Sequence, residues 1–300
     1  MDSIVWKMRC IKMTSLPYMH DASCAFVILT WNSMSYVDRC LDSVLALPFR
    51  NVTAYVYDNG SCDGTPEHIK EVYGQAISDG SLVLKTADHN TGTTVSRNTL
   101  LRLVDSSTDY ICVLDSDTEV YPHAFEAMCA HFASDTEGEI GVIGPRMRNE
   151  SGELQLSGRN LPTLTIKLGK GIPIPALRKR AALAEVCDTP VRGALQDVGY
   201  LLSACWLFPY STYSTVGQLD ERIFYAPEDV DWCARVHAAG MRVCYAHDAE
   251  ILHAYQRLSH KKLISKTNAS HIAGLAYYFA KHGYLLRSRG VWNPGNTTKR

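Results

Sequence analysis

Two aspartates directly after a short apolar run are the first residues whose types and spacing could do chemistry. Asp115 and Asp117 follow Ile111–Leu114, and a run of this kind is typical of a strand buried on both faces of a parallel sheet. Such sheets bind ligands beyond the carboxyl ends of their strands, and residues two apart on an extended chain point the same way. We therefore expect the two carboxylates to converge at a binding edge.

Converging carboxylates repel each other unless a cation or a donor-rich ligand lies between them. Mg²⁺ or Mn²⁺ carrying a diphosphate meets that requirement, because these ions accept one or two carboxylates and fill their other positions with phosphate oxygens and water. An isolated Asp-x-Asp equally serves to cap a helix or to solvate a loop. The choice between these interpretations depends on residues elsewhere in the chain.

Polar residues also follow other apolar runs in the first third of the chain. Thr30 and Asn32 stand at the end of the first run, and Asp58 and Gly60 stand at the end of the second. A carboxylate at position 58 could accept the imide N–H of uracil or thymine. A plain turn explains the composition of Asp58–Gly60 as well as nucleotide binding does.

The third run is followed by Asn90 and Gly92, and Arg97 comes shortly afterwards in a predicted helix. A guanidinium and the free backbone N–H groups of a helix start could together bind a diphosphate. A surface ion pair is the alternative for Arg97.

Several residues later in the chain could also take part in chemistry or bind a ligand. Glu228 and Asp229 begin a predicted helix, where a carboxylate either complements the helix N-terminus or acts as a general base. His253 ends an apolar run and is either a metal ligand or a hydrogen-bonded structural group. Trp206 and Trp232 either stack on a sugar or lie in the core.

The elements that must position these residues alternate along the chain. Predicted helices separate short apolar strands, and such alternation favours a parallel, doubly wound α/β layer with right-handed crossovers. The predicted strands before residue 145 are Cys24–Thr30, Val52–Tyr57, Leu82–Thr86, Ile111–Leu114 and Ile140–Ile143. We expect a leader over residues 1–22 and one large domain over residues 23–256.

Two segments are less regular. Residues 145–197 contain several Gly and Pro residues and the basic patch Arg178–Arg180, which predicts an irregular insertion or lid. Residues 257–300 form a basic segment with a predicted helix over 261–289. That segment either packs on the core as a solvated helix or contacts a membrane surface.

Composition bounds the class of protein. A chain of 300 residues that is 46% hydrophobic and 20% charged is ordinary globular composition, and its net charge of −1 does not favour a nucleic-acid partner. Ten cysteines without a C-x-x-C pair indicate reduced thiols in a cytoplasmic protein rather than a zinc site or a disulfide scaffold. The sequence indicates no oligomeric state.

The order of the motifs resembles that of family 2 glycosyltransferases of the GT-A fold. The resemblance covers about residues 24–255 and rests on Thr30–Asn32, Asp58–Ser61, Asp63–Thr65, Asn90–Gly92, Arg97–Asn98 and the D-x-D at Asp115–Asp117. Glu228–Asp231 and His253 are similar to a late motif of the rhamnosyltransferase-like members. Trp31 and Ala226–Pro227 depart from the pattern without removing a reactive group.

The resemblance implies a doubly wound mixed sheet with helices on both faces and a C-terminal helical segment. It implies an inverting, metal-dependent transfer from a UDP- or dTDP-sugar, with rhamnose among the sugars, to a hydroxyl of a glycan, glycoprotein or lipid-linked glycan. The implied roles are general base for Asp229; ligands of Mn²⁺ or Mg²⁺ for Asp117 and His253; nucleotide-sugar contacts for Thr30, Asn32, Asp58, Gly60, Asn90, Gly92, Arg97, Asp115 and Ser116; and acceptor contacts for Glu228, Trp206 and Trp232.

Two alternatives stay open at this point. A sugar-nucleotide pyrophosphorylase shares the general α/β layout, although no Gly-rich opening with Arg and Lys follows the first strand. A catalytically inactive pseudo-transferase would bind a nucleotide or glycan and recruit partners. The expected location is the cytoplasm, free or peripheral at a membrane surface.

Overall fold

Short runs of β-branched, aromatic and aliphatic residues form the strands, and Pro, Gly and polar turns separate them from the helices. The computed structural model describes residues 17–187, 194–254, 266–288 and 291–292. The strands are β1 (Ser23–Thr30), β2 (Asn51–Asp58), β3 (Leu82–Thr86), β4 (Tyr110–Asp115), β5 (Thr118–Glu119), β6 (Ile140–Arg148), β7 (Leu154–Gln155), β8 (Gly158–Arg159), β9 (Leu195–Asp197), β10 (Tyr200–Leu201), β11 (Cys205–Pro209) and β12 (Arg242–His253).

The helices cover both faces of the sheet that most of these strands form. They are α1 (Val37–Leu45), α2 (Thr65–Val72), α3 (Gly74–Asp79), α4 (Thr93–Leu101), α5 (Pro122–Ser134), α6 (Leu164–Gly171), α7 (Pro175–Glu185), α8 (Tyr210–Val216), α9 (Glu228–Ala238) and α10 (Lys266–His282). A 3₁₀ helix, Met19–Asp21, precedes β1 and buries Met19 in the core. The rest of the predicted leader, residues 1–16, lies outside the described residues.

The sheet is mixed. Its central order is β3-β2-β1-β4-β11-β6-β12-β5. The four strands β3, β2, β1 and β4 run parallel, as predicted, whereas β11 lies antiparallel to both β4 and β6. The alternation of strands and helices alone favours a parallel layer and does not reveal β11, which enters between β4 and β6 from the opposite direction. The mixed, doubly wound arrangement is confirmed.

The predicted strand positions are close to the observed ones, but the long strands exceed them. β6 continues to Arg148 beyond the predicted end at Ile143. The predicted runs 242–246 and 251–253 form one strand, β12, whose register against β6 shifts between Ala246 and Glu250. A break in the apolar pattern thus marks a bulge within a strand and not the end of one.

Trp206 and Trp232 belong to the core on the side of the sheet that α9 covers. Their rings stack at 5.2 Å between centroids, and the two residues are 1% and 2% exposed. Each indole N–H donates to a backbone carbonyl, from Trp206 to Leu201 and from Trp232 to Gly217. Neither ring has a face free for a sugar, so their prediction as acceptor contacts is wrong.

The segment 145–197 is more regular than predicted. It contains the helices α6 and α7, which approach closely where Gly169 faces the side chain of Ala181. Their shortness and their Gly and Pro residues hide the helical period in the sequence. Glu185 at the end of α7 is 1% exposed and forms ion pairs with Arg159, Lys167 and Lys170, which fix this helical hairpin to β8.

The C-terminal helix α10 packs on the core. Tyr278 and Phe279 are 0% and 5% exposed, so packing on the core is confirmed for this helix. The predicted helix over 261–289 is observed over Lys266–His282, while residues 255–265 and 293–300 lie outside the described residues. No described helix combines the length and apolar character that crossing a membrane requires.

Asp231 on α9 anchors α10. Its side chain is 1% exposed and receives Lys281 Nζ at 2.7 Å, His282 Nε2 at 2.8 Å and, from its own helix, Arg235 Nε at 3.1 Å. Burial acts to raise the pKa of Asp231, but hydrogen bonds from His282 and Lys281 outweigh burial and hold the pKa below its ordinary value. Asp231 therefore stabilises the fold above its unfolded pKa and loses that effect as the pH falls through its folded pKa.

We expect Asp231→Asn to lower the free energy of unfolding at pH 7 by about 3 kcal/mol, because it breaks a buried ion pair on one side only. Urea denaturation measures the change, and the difference from the parent should shrink in acid. Asp248→Asn removes an exposed carboxylate that is bound to His131 and should cost less than about 1 kcal/mol. Equal losses in the two variants would contradict the anchoring role.

Candidate active site

The carboxyl ends of β1, β2 and β4 meet at one edge of the sheet. The register pairs Thr30 with Asp58 and Leu29 with Asp115, so the polar residues that follow these strands are brought together as predicted. β5 pairs with the end of β12 and places His253 opposite Thr118. The turn that carries Asp117 therefore lies beside His253, although 136 positions separate them in the sequence.

Asp115, Asp117 and His253 form a candidate metal centre. Each offers one ligand atom, and these atoms all lie within 4.8 Å of one another. His253 Nε2 is 3.3 Å from Asp117 Oδ1, while its Nδ1 is 2.7 Å from Gln155 Oε1. Donation from Nδ1 to Gln155 leaves Nε2 as the ring atom directed at Asp117. Two carboxylates and an imidazole suit Mn²⁺ well and Mg²⁺ less well.

Arg97 is the cation at the centre of the site. It is 1% exposed, and its Nη2 donates to Asp115 Oδ1 at 2.6 Å and to the carbonyl of Ser203 at 3.0 Å. Its Nη1 is 3.4 Å from Glu228 Oε1. The alternative of a surface ion pair is wrong, because Arg97 bridges acids from β4 and α9 in the interior. Contact between this guanidinium and a diphosphate stays a prediction.

Burial dominates the titration of the acids around Arg97. It raises the pKa of Asp115, which Arg97 lowers and Asp117 raises further. It raises the pKa of Glu228 to about 8, with the charge of Asp229 acting in the same direction. The carboxylates of Asp115 and Asp117 raise each other's energy when both are charged, and a bound cation would relieve that repulsion.

Glu228 and Asp229 make different contacts at the start of α9. Asp229 is half-buried, and its Oδ1 accepts the N–H of Val230 at 2.8 Å. Glu228 is 5% exposed, accepts from Ser203 Oγ at 2.9 Å and pairs with Arg97. Asp229 therefore accepts a free N–H group of the helix N-terminus, and its role as general base stays a prediction.

Asp229 also lies near cations that sequence reasoning missed. Burial raises its pKa, whereas the Val230 N–H and then the charges of Lys167 and Arg159 lower it. Lys167 is on α6, so the helical hairpin of the insertion borders Asp229. No local rule places this insertion beside α9, and the sequence carried no signal for either cation.

Asp58 organises the loops after β1 and β2. It is 1% exposed, and its carboxylate accepts from Thr30 Oγ1 at 3.0 Å and from the backbone N–H of Ser61 at 2.9 Å. Asn32, at φ 51°, accepts the N–H of Cys62 on its side-chain oxygen. These contacts shape the predicted nucleotide loops, and contact with a base stays a prediction.

Gly92 and Asn90 shape the loop after β3. Asn90 Oδ1 accepts the N–H of Gly92 at 2.9 Å. Gly92 has φ +88°, and a Cβ there would lie 2.5 Å from the carbonyl oxygen of Phe224. A similar limit holds at Gly60, where a Cβ would lie 2.7 Å from the backbone of His89. Both positions need glycine because backbone approaches backbone.

Two further residues at the site lack a recognisable sequence signal. Tyr225 is 47% exposed, and its partial burial and the charges of Glu228 and Asp115 raise its pKa to about 12. Ser203 holds both Glu228 and Arg97. Ser116, which was predicted, is 7% exposed and its hydroxyl lies 2.8 Å from that of Ser33.

Comparison with known sequences identifies relatives of this arrangement. A family model described as glycosyl transferase family 2 matches residues 25–182. An N-acetylglucosaminyl-diphospho-decaprenol L-rhamnosyltransferase of Mycobacterium tuberculosis (strain CDC 1551 / Oshkosh) is 26% identical over 89% of this chain and 87% of the relative. A poly-beta-1,6-N-acetyl-D-glucosamine synthase of Staphylococcus aureus (strain COL) is 24% identical over 73% of this chain and 47% of the relative.

Solved structures share the fold. The crystal structure of GalNAc-T7 with UDP, GalNAc and Mn²⁺ has a TM-score of 0.63 at 14% identity and covers 86% of this chain and 48% of that one. The mannosyltransferase PcManGT of Pyrobaculum calidifontis with GDP-Man and Mn²⁺ has a TM-score of 0.56 at 13% identity and covers 90% and 67%. The GT-A-type fold is confirmed. Because the family model also matches more than half of its residues, the chain belongs to glycosyltransferase family 2, and its sequence is rhamnosyltransferase-like.

Proposed function

We propose that this glycosyltransferase moves a sugar, with inversion and with the help of a divalent metal, from a nucleotide-diphosphate sugar to a hydroxyl of a lipid-linked glycan. One observation carries the proposal. Arg97 bridges Asp115, part of the Asp-Asp-His cluster, and Glu228, the neighbour of Asp229. A candidate metal centre and a candidate base thus lie on the two sides of one buried cation.

The donor side uses the edge formed by β1, β2 and β4. Asp117 and His253, with Asp115, would hold Mn²⁺ or Mg²⁺, which when bound neutralises the negative charge that builds on a departing diphosphate. We assign the nucleotide to the loops around Asp58 and Gly92. A UDP- or dTDP-sugar is favoured, and rhamnose is the first sugar to test because the mycobacterial relative is named an L-rhamnosyltransferase.

On the acceptor side we assign Asp229 as the general base. It would take the proton of the attacking hydroxyl, and the pKa that burial raises makes its carboxylate a stronger base near neutral pH. A single displacement on the face opposite the diphosphate inverts the anomeric centre. Glu228, with a pKa of about 8, is mostly protonated at neutral pH and donates or accepts beside the base without adding a second full charge.

The acceptor class follows from the relatives. The mycobacterial relative is named for an acceptor in which N-acetylglucosamine is joined through a diphosphate to decaprenol. We propose a lipid-linked glycan of this chemical kind, used at the cytoplasmic surface of a membrane. Membership of family 2 removes support from the pyrophosphorylase alternative, whereas an inactive pseudo-transferase is distinguished by the experiments below.

Asp229→Asn should reduce sugar transfer by at least about 10²-fold, because the amide cannot take the hydroxyl proton. Transfer from dTDP-rhamnose or a UDP-sugar to an N-acetylglucosaminyl-diphospho-lipid is measured in the presence of Mn²⁺. Binding of the free nucleotide diphosphate should stay within a few-fold of the parent. Glu71→Gln, an exposed acid on α2, serves as the matched control, and near-normal turnover in Asp229→Asn would refute the assignment.

Asp117→Ala should abolish the response to metal. Mn²⁺ should raise the melting temperature of the parent, because a ligand that binds only the folded state stabilises it, and chelation should stop transfer. The variant should lose the thermal shift, while Asp248→Ala, which removes an exposed acid, should keep it. Full transfer in excess chelator, or an unchanged shift in Asp117→Ala, would count against the metal centre.

The Glu228→Gln variant should become more stable to unfolding, relative to the parent, as the pH rises. The raised pKa of Glu228 means that the folded chain holds a proton that the unfolded chain has lost, so the parent is destabilised as the pH rises through about 8. Glutamine mimics the protonated acid and lacks this dependence. Urea midpoints measured from pH 6 to pH 9 should diverge in favour of the variant, and parallel curves would contradict a raised pKa.

A further inference from the structure

The helices α6 and α7 expose large apolar side chains among basic ones. Leu168, Ile174, Leu177 and Leu183 are 61%, 51%, 43% and 59% exposed. Leu285 and Leu286, exposed at 52% and 62%, join them, because the carbonyl of residue 285 accepts the N–H of Leu164 at the start of α6. We call these six residues the leucine patch. Exposed apolar side chains that are concentrated on one pair of helices are typical of a surface that binds a protein, a membrane or a ligand.

Basic residues accompany the leucine patch. Residues 164–187 contain five basic residues and a single acid, Glu185, in a chain whose overall net charge is −1. Arg178, Lys179 and Arg180 are exposed, as is Arg287 next to the patch. On α7, Leu177, Arg180 and Leu183 are three residues apart in turn, so neighbouring side chains alternate between apolar and basic.

The hairpin is fixed to the domain from its inner side. Glu185 is 1% exposed and is paired with Lys167, Lys170 and Arg159, and Gly169 lets α6 contact Ala181 of α7. The only acid of the hairpin is therefore turned inward, and its large exposed side chains are apolar or positively charged. This arrangement is unlike an ordinary solvated helix, whose exposed side chains carry charges of both signs.

We propose that the leucine patch and the adjoining basic residues form a docking surface for a bilayer that carries anionic lipids. Leucines that enter the boundary between headgroups and acyl chains, with arginines and lysines at the headgroup phosphates, are the chemistry of peripheral membrane binding. A second copy of the chain is disfavoured as the occupant, because two such faces would oppose positive charge to positive charge.

The position of the surface connects it with the proposed reaction. Lys167 of α6 is close enough to lower the pKa of Asp229, so the hairpin that would touch the bilayer borders the proposed base. A lipid-linked acceptor, which rests on the proposed function, would extend its glycan from the bilayer past α6. The membrane contact lies on the insertion and on Leu285–Arg287, and not on the buried face of α10.

Sedimentation with vesicles tests the proposal on the full chain. The parent should pellet with equimolar phosphatidylcholine and phosphatidylglycerol vesicles and stay in the supernatant with phosphatidylcholine alone. Leu177→Glu/Leu183→Glu should weaken binding to the anionic vesicles by at least about tenfold, and so should Arg178→Gln/Lys179→Gln/Arg180→Gln. Val72→Glu/Leu103→Glu, at apolar residues exposed elsewhere by 54% and 41%, is the matched control and should bind as the parent does.

The melting temperature and the nucleotide-induced thermal shift should be unchanged in all variants, which separates lost docking from lost folding. The proposal would be overturned if the parent did not bind anionic vesicles, or if the hairpin variants bound them as the control does. Concentration-dependent dimerisation of the parent that the leucine substitutions abolish would also overturn it, because the patch would then join two copies. Failure here with intact metal and Asp229 results would leave the transferase proposal standing.

Discussion

The structure depends on one buried cation. Arg97 is held in the interior by acids from two elements that are distant in the chain, Asp115 at the end of β4 and Glu228 at the start of α9. A buried guanidinium is tolerated only when its charge is paired, and here both terminal nitrogens of Arg97 find acceptors. Pairing Arg97 therefore requires β4, α9 and the Ser203 carbonyl to meet, which joins the sheet edge that carries Asp115 to the helix start that carries Glu228.

Much of the sheet could be predicted from local patterns. The strands that carry Thr30, Asp58 and Asp115 are short apolar runs whose ends are marked by polar turns, and parallel strands bring such ends to one edge. The same logic made Asp117 a predictable site residue. His253 was predictable only as a residue at the end of a late run, because its meeting with Asp117 depends on how β5 pairs with β12.

The remaining features of the fold and of the candidate site could not be predicted, because they depend on contacts between distant segments. Burial of Trp206 against Trp232 is a property of two packed elements and is invisible in either one. The burial of Arg97 could not be predicted, because its partner Glu228 lies 131 positions away in the sequence. The helices of the insertion were hidden since helices this short owe their stability to tertiary packing, here at Gly169 and around Glu185.

The close approach of Gly92 to Phe224 connects the loop before α4 with the segment before α9. Gly92 lacks a side chain that would keep the two segments apart. In addition, the N–H of Thr93 donates to the carbonyl of Phe224 at 2.8 Å, and the hydroxyl of Thr94 donates to the carbonyl of Ile223 at 2.7 Å. Under the proposed function, a nucleotide that displaced the loop before α4 would also displace the segment before α9, which includes Tyr225. The order in which the two substrates add during turnover is where this linkage would become visible.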